Sequence, residues 1–324
     1  MNPELLIKNT CNYTIIDVRS PLEYLKGHIP TSINLPLFNN TEREVIGTIY
    51  KKIGKRAAIE KGLDYVNLSN LINQFKSLPD KPIVLYCARG GMRSSSVSVL
   101  LKLLDYDIRV FEGGYKIFRS WVLDQFKKKY ELKIISGYTG VGKTEIIEFL
   151  DNAIHLEALA NHKGSVFGGF GKEQPSQEHF ENLLACDLFS HNKECIFIED
   201  ESRVIGNICI PNDFYNQMKN SPITIVQDLL ENRIKRCVFQ YKNYNKEDLK
   251  NAIIKLEKRM GRVAVKEASS FIDNEKYEEA CFLLFSYYDK RYDFSIWKRL
   301  VKNISYLEIS NKTKEQICYF LQNG

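Results

Sequence analysis

Residues 132–150 read LKIISGYTGVGKTEIIEFL: an apolar run, the eight residues GYTGVGKT (137–144), and a segment with helical spacing. The central stretch fits G-x-x-x-x-G-K-[ST], and it lies where that pattern has physical meaning, between a strand and a helix. Gly137, Gly140 and Gly142 let backbone N–H groups wrap a phosphate, Lys143 sets a point charge on it, and Thr144 offers a hydroxyl to Mg²⁺. Downstream, the buried-strand pattern CIFIED (195–200) ends in carboxylates. Strand alternation puts Glu199 and Glu201 on one face and Asp200 on the other. That makes Glu199 and Glu201 the candidates for positioning a metal or water opposite the loop. TIVQD (224–228) reads as a weaker third strand.

Upstream, TIIDV (14–18), PIVLY (82–86) and DIRVF (107–111) alternate with amphipathic stretches such as 66–75, the mark of a parallel α/β sheet. The run Lys127, Lys128, Lys129 precedes the next strand. The chain therefore divides into an α/β domain over 1–128, a P-loop NTPase-like α/β domain over 129–229, and a helical C-terminal extension over 230–324. At 324 residues more than one domain is expected. The composition, 44% apolar and 27% charged with 9 Pro and 18 Gly, excludes a disordered or collagen-like chain. Neither a membrane-length apolar run nor a signal-peptide pattern occurs, so a cytoplasmic protein is expected. Eight cysteines without a C-x-x-C pair argue against a disulfide framework or a zinc knuckle.

PIVLY runs into Cys87, then ARGGM, Arg93 and the helical pattern SSSVSVLLKLL, with Ser94 or Ser95 as the expected N-cap. A cysteine between a strand end and a helix start, with Arg89 and Arg93 beside it, has the surroundings that favour thiolate over thiol. Cys87 is read as a nucleophile, and the other seven cysteines as small packed residues. Five residues between Cys87 and Arg93 is the spacing of thiol-dependent phosphatases, whereas a sulfurtransferase uses a similar cradle to carry sulfur. The loop alone leaves both open. Asp17 and Arg19 are read as a buried structural pair and His28 as part of a capped turn.

The net charge is +6, and residues 231–262 alone carry ten basic against four acidic side chains. There Arg233, Lys235 and Arg236 interleave with Tyr241 and Tyr244, a pattern suited to a phosphate backbone and an unstacked base. Of Tyr287, Tyr288 and Tyr292, two are expected to pack in the core. His162 is a minor candidate.

Longer segments then converge. DVRSPLEYLKGHIPTSINLP (17–36), the Cys87 loop and EGGYKIFR (112–119) resemble rhodanese domains. The seven-residue loop closed by Arg93 is one residue longer than the commonest rhodanese loop. EREVIGTIYKKIGKRAAIEKG (42–62), YCARGGMRS (86–94), LEALANHKGSVFGGFG (156–171), IEDESRVIGNICIP (198–211) and LLFSYYDKRY (283–292) resemble the tRNA 2-selenouridine synthase family over nearly the whole chain. The resemblance implies a rhodanese-like domain fused to the P-loop domain and a tRNA selenotransferase with geranyltransferase activity. It further implies that wobble 2-thiouridine of tRNAs for Lys, Glu and Gln is S-geranylated from geranyl diphosphate and then converted to 2-selenouridine with selenophosphate. Cys87, Arg89 and Arg93 would serve the selenium step, and a selenophosphate synthetase would be a functional partner. A diphosphate donor suits the P-loop, Mg²⁺ is compatible with it, and ATP is not expected to be required. The alternative is a Cys-dependent sulfurtransferase or phosphatase fused to a nucleotide-dependent kinase-like domain.

Overall fold

A computed structural model describes residues 1–165, 167–169, 173–191, 195–297 and 303–323. Val166, Phe170 and Gly171, in the family-like segment 156–171, lie outside the described residues. The chain divides into two compact units. One comprises Met1–Gln125 with Glu178–Cys186, the other Phe126–Gln177 with Asp187–Gly324.

The first unit carries a four-stranded parallel sheet of β1 (Thr14–Asp17), β2 (Ile33–Asn34), β3 (Ile83–Tyr86) and β4 (Ile108–Val110), in the order β2-β1-β3-β4. Every residue of β1 and β3 is buried, as expected of central parallel strands covered on both faces. Ile16, Leu85, Leu71, Phe75, Val97 and Leu101 join sheet and helices in one core. Between β2 and β3 stand three helices, Asn40–Lys52, Lys55–Tyr65 and Leu68–Lys76. The first opens with a capping box in which Asn39 and Glu42 exchange backbone and side-chain bonds at 2.9 and 2.8 Å. Asp17 and Arg19 form the expected buried pair, with Arg19 Nη2 2.6 Å from Asp17 Oδ2. His28 stacks between Tyr24 and His179.

The second unit carries a five-stranded parallel sheet: β5 (Leu132–Gly137), β6 (Ala153–Ile154), β7 (Ile196–Glu199), β10 (Ile223–Gln227) and β11 (Ile304–Glu308), in the order β11-β10-β5-β7-β6. A small antiparallel hairpin, β8 (Val204–Ile205) with β9 (Ile208–Cys209), follows β7. Helices from Leu230–Tyr241 to Tyr277–Trp297 pack on their own cluster of Leu249, Ile253, Val265, Ile272, Ala280 and Leu284. The extension is not helical throughout, because β11 returns to the sheet beside β10. Only Leu307 of β11 is buried, so the strand lacks the apolar run that marks its neighbours. Among the described residues no helix is long and apolar enough to cross a membrane.

Candidate active site

In the first unit β3 ends at Cys87, and the helix Met92–Lys102 follows with Gly91 at its N-cap. The helix therefore starts before Ser94 and Ser95, and neither caps it. Ser94 instead turns its hydroxyl to the sulfur, 3.3 Å away, while Gly91 N–H donates to the same atom at 3.2 Å. Burial pushes the Cys87 thiol up, but hydrogen bonds from the Ser94 hydroxyl and from the N–H groups of Ser94, Arg89 and Gly91 outweigh it and hold the thiol below its ordinary value. The loop is fastened from behind by 112–119, where Tyr115 N–H donates to Cys87 O at 2.9 Å and Lys116 N–H to Ala88 O at 3.0 Å. That approach requires Gly114, at φ +56, because a Cβ there would lie 2.2 Å from Cys87 O.

Arg93 and Arg89 line one cavity with Cys87. Arg89 is exposed, whereas Arg93 is held by Glu23 through bonds of 2.6 and 3.1 Å. Burial pushes the Glu23 carboxyl up, but Arg93, Ser20 N–H and Arg43 outweigh that and bring it down to about 2. From sequence Ser94 was read as an N-cap rather than as a partner of the sulfur, and Glu23 was not picked out. Glu23 had a legible signal, since S-P-L-E (20–23) is a capping box and Glu23 fills its acidic position.

In the second unit the loop between β5 and the helix Lys143–Glu148 has the strand-to-helix context its sequence requires. Gly142 is left-handed, and Lys143 Nζ donates to Gly137 O at 2.9 Å, closing the loop. Gly140, at φ +76, packs so closely on the helix Leu230–Tyr241 that a Cβ would sit 2.7 Å from Arg233 O. Three carboxylates gather here. Glu157 Oε2 is 3.4 Å from Thr144 Oγ1, and Glu199 Oε1 accepts Glu157 N–H at 2.7 Å. A Cβ on Gly164 would lie within 3 Å of both Glu157 and Glu201. Burial, then the neighbouring Glu157 charge, raises Glu199 to about 7, and burial with the Glu157 and Glu199 charges also raises Glu201 well above its ordinary value. Asp200 faces elsewhere, accepting the Ser136 hydroxyl at 2.5 Å, so the alternation expected from sequence is observed. Glu157 was missed because it lies outside both motifs, after Thr144 and well before Glu199, and meets them only through the fold.

This oxygen-rich corner suits Mg²⁺. It offers a hydroxyl and carboxylates, and Glu199 Oε2 is buried without a hydrogen-bond partner among the described residues. No group of three or more potential ligands forms a cage among those residues. Mg²⁺ bound together with substrate phosphates needs none.

The basic helix behaves differently from a free RNA-binding face. Arg233 is buried, donating to Thr139 O at 2.9 Å and to both oxygens of Asp289 at 3.0 and 2.7 Å, between the rings of Tyr138 and Phe285. Arg236 pairs with Asp228 at 2.6 Å and donates to Gly140 O at 3.2 Å. Both arginines brace the phosphate loop. Lys235 is exposed, while Tyr241 and Tyr244 pack against the helical cluster. Tyr287 and Tyr288 pack there as well, and Tyr292 reaches Ser136 at the end of β5.

A family model described as the tRNA 2-selenouridine synthase AAA domain matches residues 130–323, and a rhodanese-like domain model matches residues 4–120. The tRNA 2-selenouridine synthase of Shewanella frigidimarina is 36% identical over 293 residues, covering 81% of this chain and 80% of its own. That of Shewanella sediminis is 34% identical over 330 residues, covering 89% of each. That of Psychromonas ingrahamii is 41% identical over 236 residues, which are 70% of this chain and 64% of the relative.

Proposed function

The chain belongs to the tRNA 2-selenouridine synthase family, and from that premise we propose that it converts wobble 2-thiouridine of tRNA to 2-selenouridine in two steps divided between its two loops. In the first, the thiocarbonyl sulfur attacks C1 of geranyl diphosphate, the C–O bond breaks and pyrophosphate leaves. The N–H groups of 137–142 and the Lys143 ammonium receive the charge that develops on the leaving group. Mg²⁺ held by Thr144 with Glu157 or Glu201 would add Lewis-acid neutralisation of the same charge. Loss of the ring N3 proton leaves a neutral S-geranyl nucleoside.

In the second step the sulfur, now a thioether, is a competent leaving group. The Cys87 thiolate attacks phosphorus of selenophosphate, the P–Se bond breaks and hydroselenide is released beside the nucleoside. Hydroselenide adds to C2, geranylthiolate leaves, and water clears the phosphoryl group from Cys87 as phosphate. Arg89 and the loop N–H groups bind the phosphoryl oxygens, with Arg93, positioned by Glu23, at the same cavity. The donor links the protein to a selenophosphate-forming enzyme. The exposed cations Lys235, Lys242, Lys258 and Arg259 are the surface offered to the tRNA backbone.

What supports the reading is that one chain folds two separate anion cradles, one around a thiol held below its ordinary value and one around Lys143. Lys143→Ala should stop geranylation of 2-thiouridine tRNA and leave selenation of pre-geranylated tRNA intact, whereas Cys87→Ser should do the reverse. Both are read by mass spectrometry of the nucleosides. Normal geranylation by Lys143→Ala, or an obligatory ATP hydrolysis in turnover, would make the loop an ordinary nucleotide site and defeat the reading.

A further inference from the structure

The cavity that contains Cys87 is far larger than an anion cradle needs. Its volume is about 940 Å³, at the upper end of small-molecule pockets. Beyond the catalytic loop its lining is mostly apolar, with Phe38, Ile46, Ile59, Leu63, Val97 and Leu100 beside the charged Arg43, Glu44 and Lys51. Several of these side chains are left to water, with Ile59 43% and Leu63 70% exposed, and so are Tyr50 at 50% and Leu68 at 51% in the same lining. Apolar side chains gathered around a cavity and still wet are the signature of a binding surface. Much of the wall comes from the helices Asn40–Lys52 and Lys55–Tyr65, the segment inserted between β2 and β3. Gly62 lets the second of these helices close on Phe38, which precedes the first, since a Cβ there would meet the Phe38 ring at 3.2 Å.

We infer that this cleft is the binding site for the isoprenyl chain of the S-geranyl nucleoside, holding the hydrocarbon of the leaving thiol while its sulfur is displaced beside Cys87. The inference rests on the proposed second step, which gives the substrate at this loop a ten-carbon tail on the reacting sulfur. A chain attached there must extend from the Cys87 loop, and the apolar wall belongs to the same cavity. A second apolar cavity, between Thr139, Tyr241, Leu284 and Phe285, has a volume of only about 60 Å³, too small for such a chain. A tail cleft at the selenium site also gives the enzyme a reason to prefer geranylated RNA there, because a short S-alkyl group leaves the apolar wall wet.

The test uses the full-length protein and two anticodon stem-loop RNAs, one carrying S-geranyl-2-thiouridine and one S-methyl-2-thiouridine, with dissociation constants measured for each. Wild type should bind the S-geranyl RNA at least tenfold more tightly. Ile59→Glu and, independently, Leu63→Glu put a charge on the exposed wall without touching the sheet. Each should abolish the preference while leaving S-methyl RNA affinity within about twofold. Retention of the preference in both variants, or equal loss for both RNAs, overturns the cleft, and so does a raised KM for geranyl diphosphate with unchanged S-geranyl RNA binding. Binding is measured without chemistry, so a failure of the Cys87 mechanism appears separately, as normal selenation by Cys87→Ser.

Discussion

Arg233 grips Asp289 with both terminal guanidinium nitrogens, at 3.0 and 2.7 Å, while its Nε holds the carbonyl of Thr139 inside the phosphate loop. The pair is 5% and 25% exposed, so the two charges are largely withdrawn from water and each needs the other. Arg233→Ala should cost roughly 2–3 kcal/mol, because it strands a carboxylate and frees the loop carbonyl. Thermal unfolding and pyrophosphate affinity are the readouts, and both should fall. Arg233→Met with Asp289→Asn should recover much of the stability but not the affinity, since the loop carbonyl remains unbound. Unchanged pyrophosphate binding in Arg233→Ala would remove the bracing role.

The Ser94 hydroxyl is aimed at the Cys87 sulfur rather than at the helix end, which makes it a positioning residue for the thiolate. Ser94→Ala removes a bond that favours the charged form, so the midpoint of Cys87 alkylation should move to higher pH. The limiting rate at high pH should be preserved. An unmoved midpoint would mean that the loop N–H groups suffice.

Much of this was legible because the two loops announce themselves in consecutive residues: 137–144 carries the phosphate loop and 87–93 the cysteine loop with both its arginines. The central strands were equally plain, since β1, β3 and β7 are buried along their length. What escaped depends on partners distant in sequence. Glu157 meets Thr144 and Glu199 only through the fold, and Glu23 meets Arg93 across 70 positions. The basic run at 233–236 misled for the same reason. Charge density is visible in a sequence, but the acids that absorb it, Asp228 and Asp289, are not visibly its partners. The edge strand β11 escaped because only Leu307 turns inward.

Three of the cations that stay exposed, Lys235, Lys258 and Arg259, give a sharper test of the RNA surface than the whole basic run does. Replacing the three by Gln should lower the slope of log affinity against log salt by about 0.7–0.9 for each RNA phosphate that is no longer neutralised. Thermal stability should stay within about 0.5 kcal/mol, as for surface substitutions. A slope equal to wild type would move the RNA to another face.

Glu199 is fully buried at the end of β7, with Oε1 on Glu157 N–H and Oε2 unpartnered among the described residues. Burial, reinforced by Glu157, raises its carboxyl from the ordinary 4.5 to about 7. The folded protein therefore keeps this proton where the unfolded chain has released it, and between pH 4.5 and 7 the native state binds more protons. Stability should accordingly fall as pH rises through that window and level off above it, by roughly 3 kcal/mol from this group. Glu199→Gln keeps the acceptor for Glu157 N–H and removes the titration. Guanidinium unfolding at several pH values should show the variant gaining about that much over wild type at about pH 8, with the gain vanishing below the ordinary carboxylate range. Adding Mg²⁺ and pyrophosphate at the same alkaline pH should stabilise wild type more than the variant, because a cation in the corner favours the charged carboxylate. Parallel stability curves for the two proteins, together with equal stabilisation by Mg²⁺ and pyrophosphate, would show that Glu199 neither holds a proton nor faces the metal.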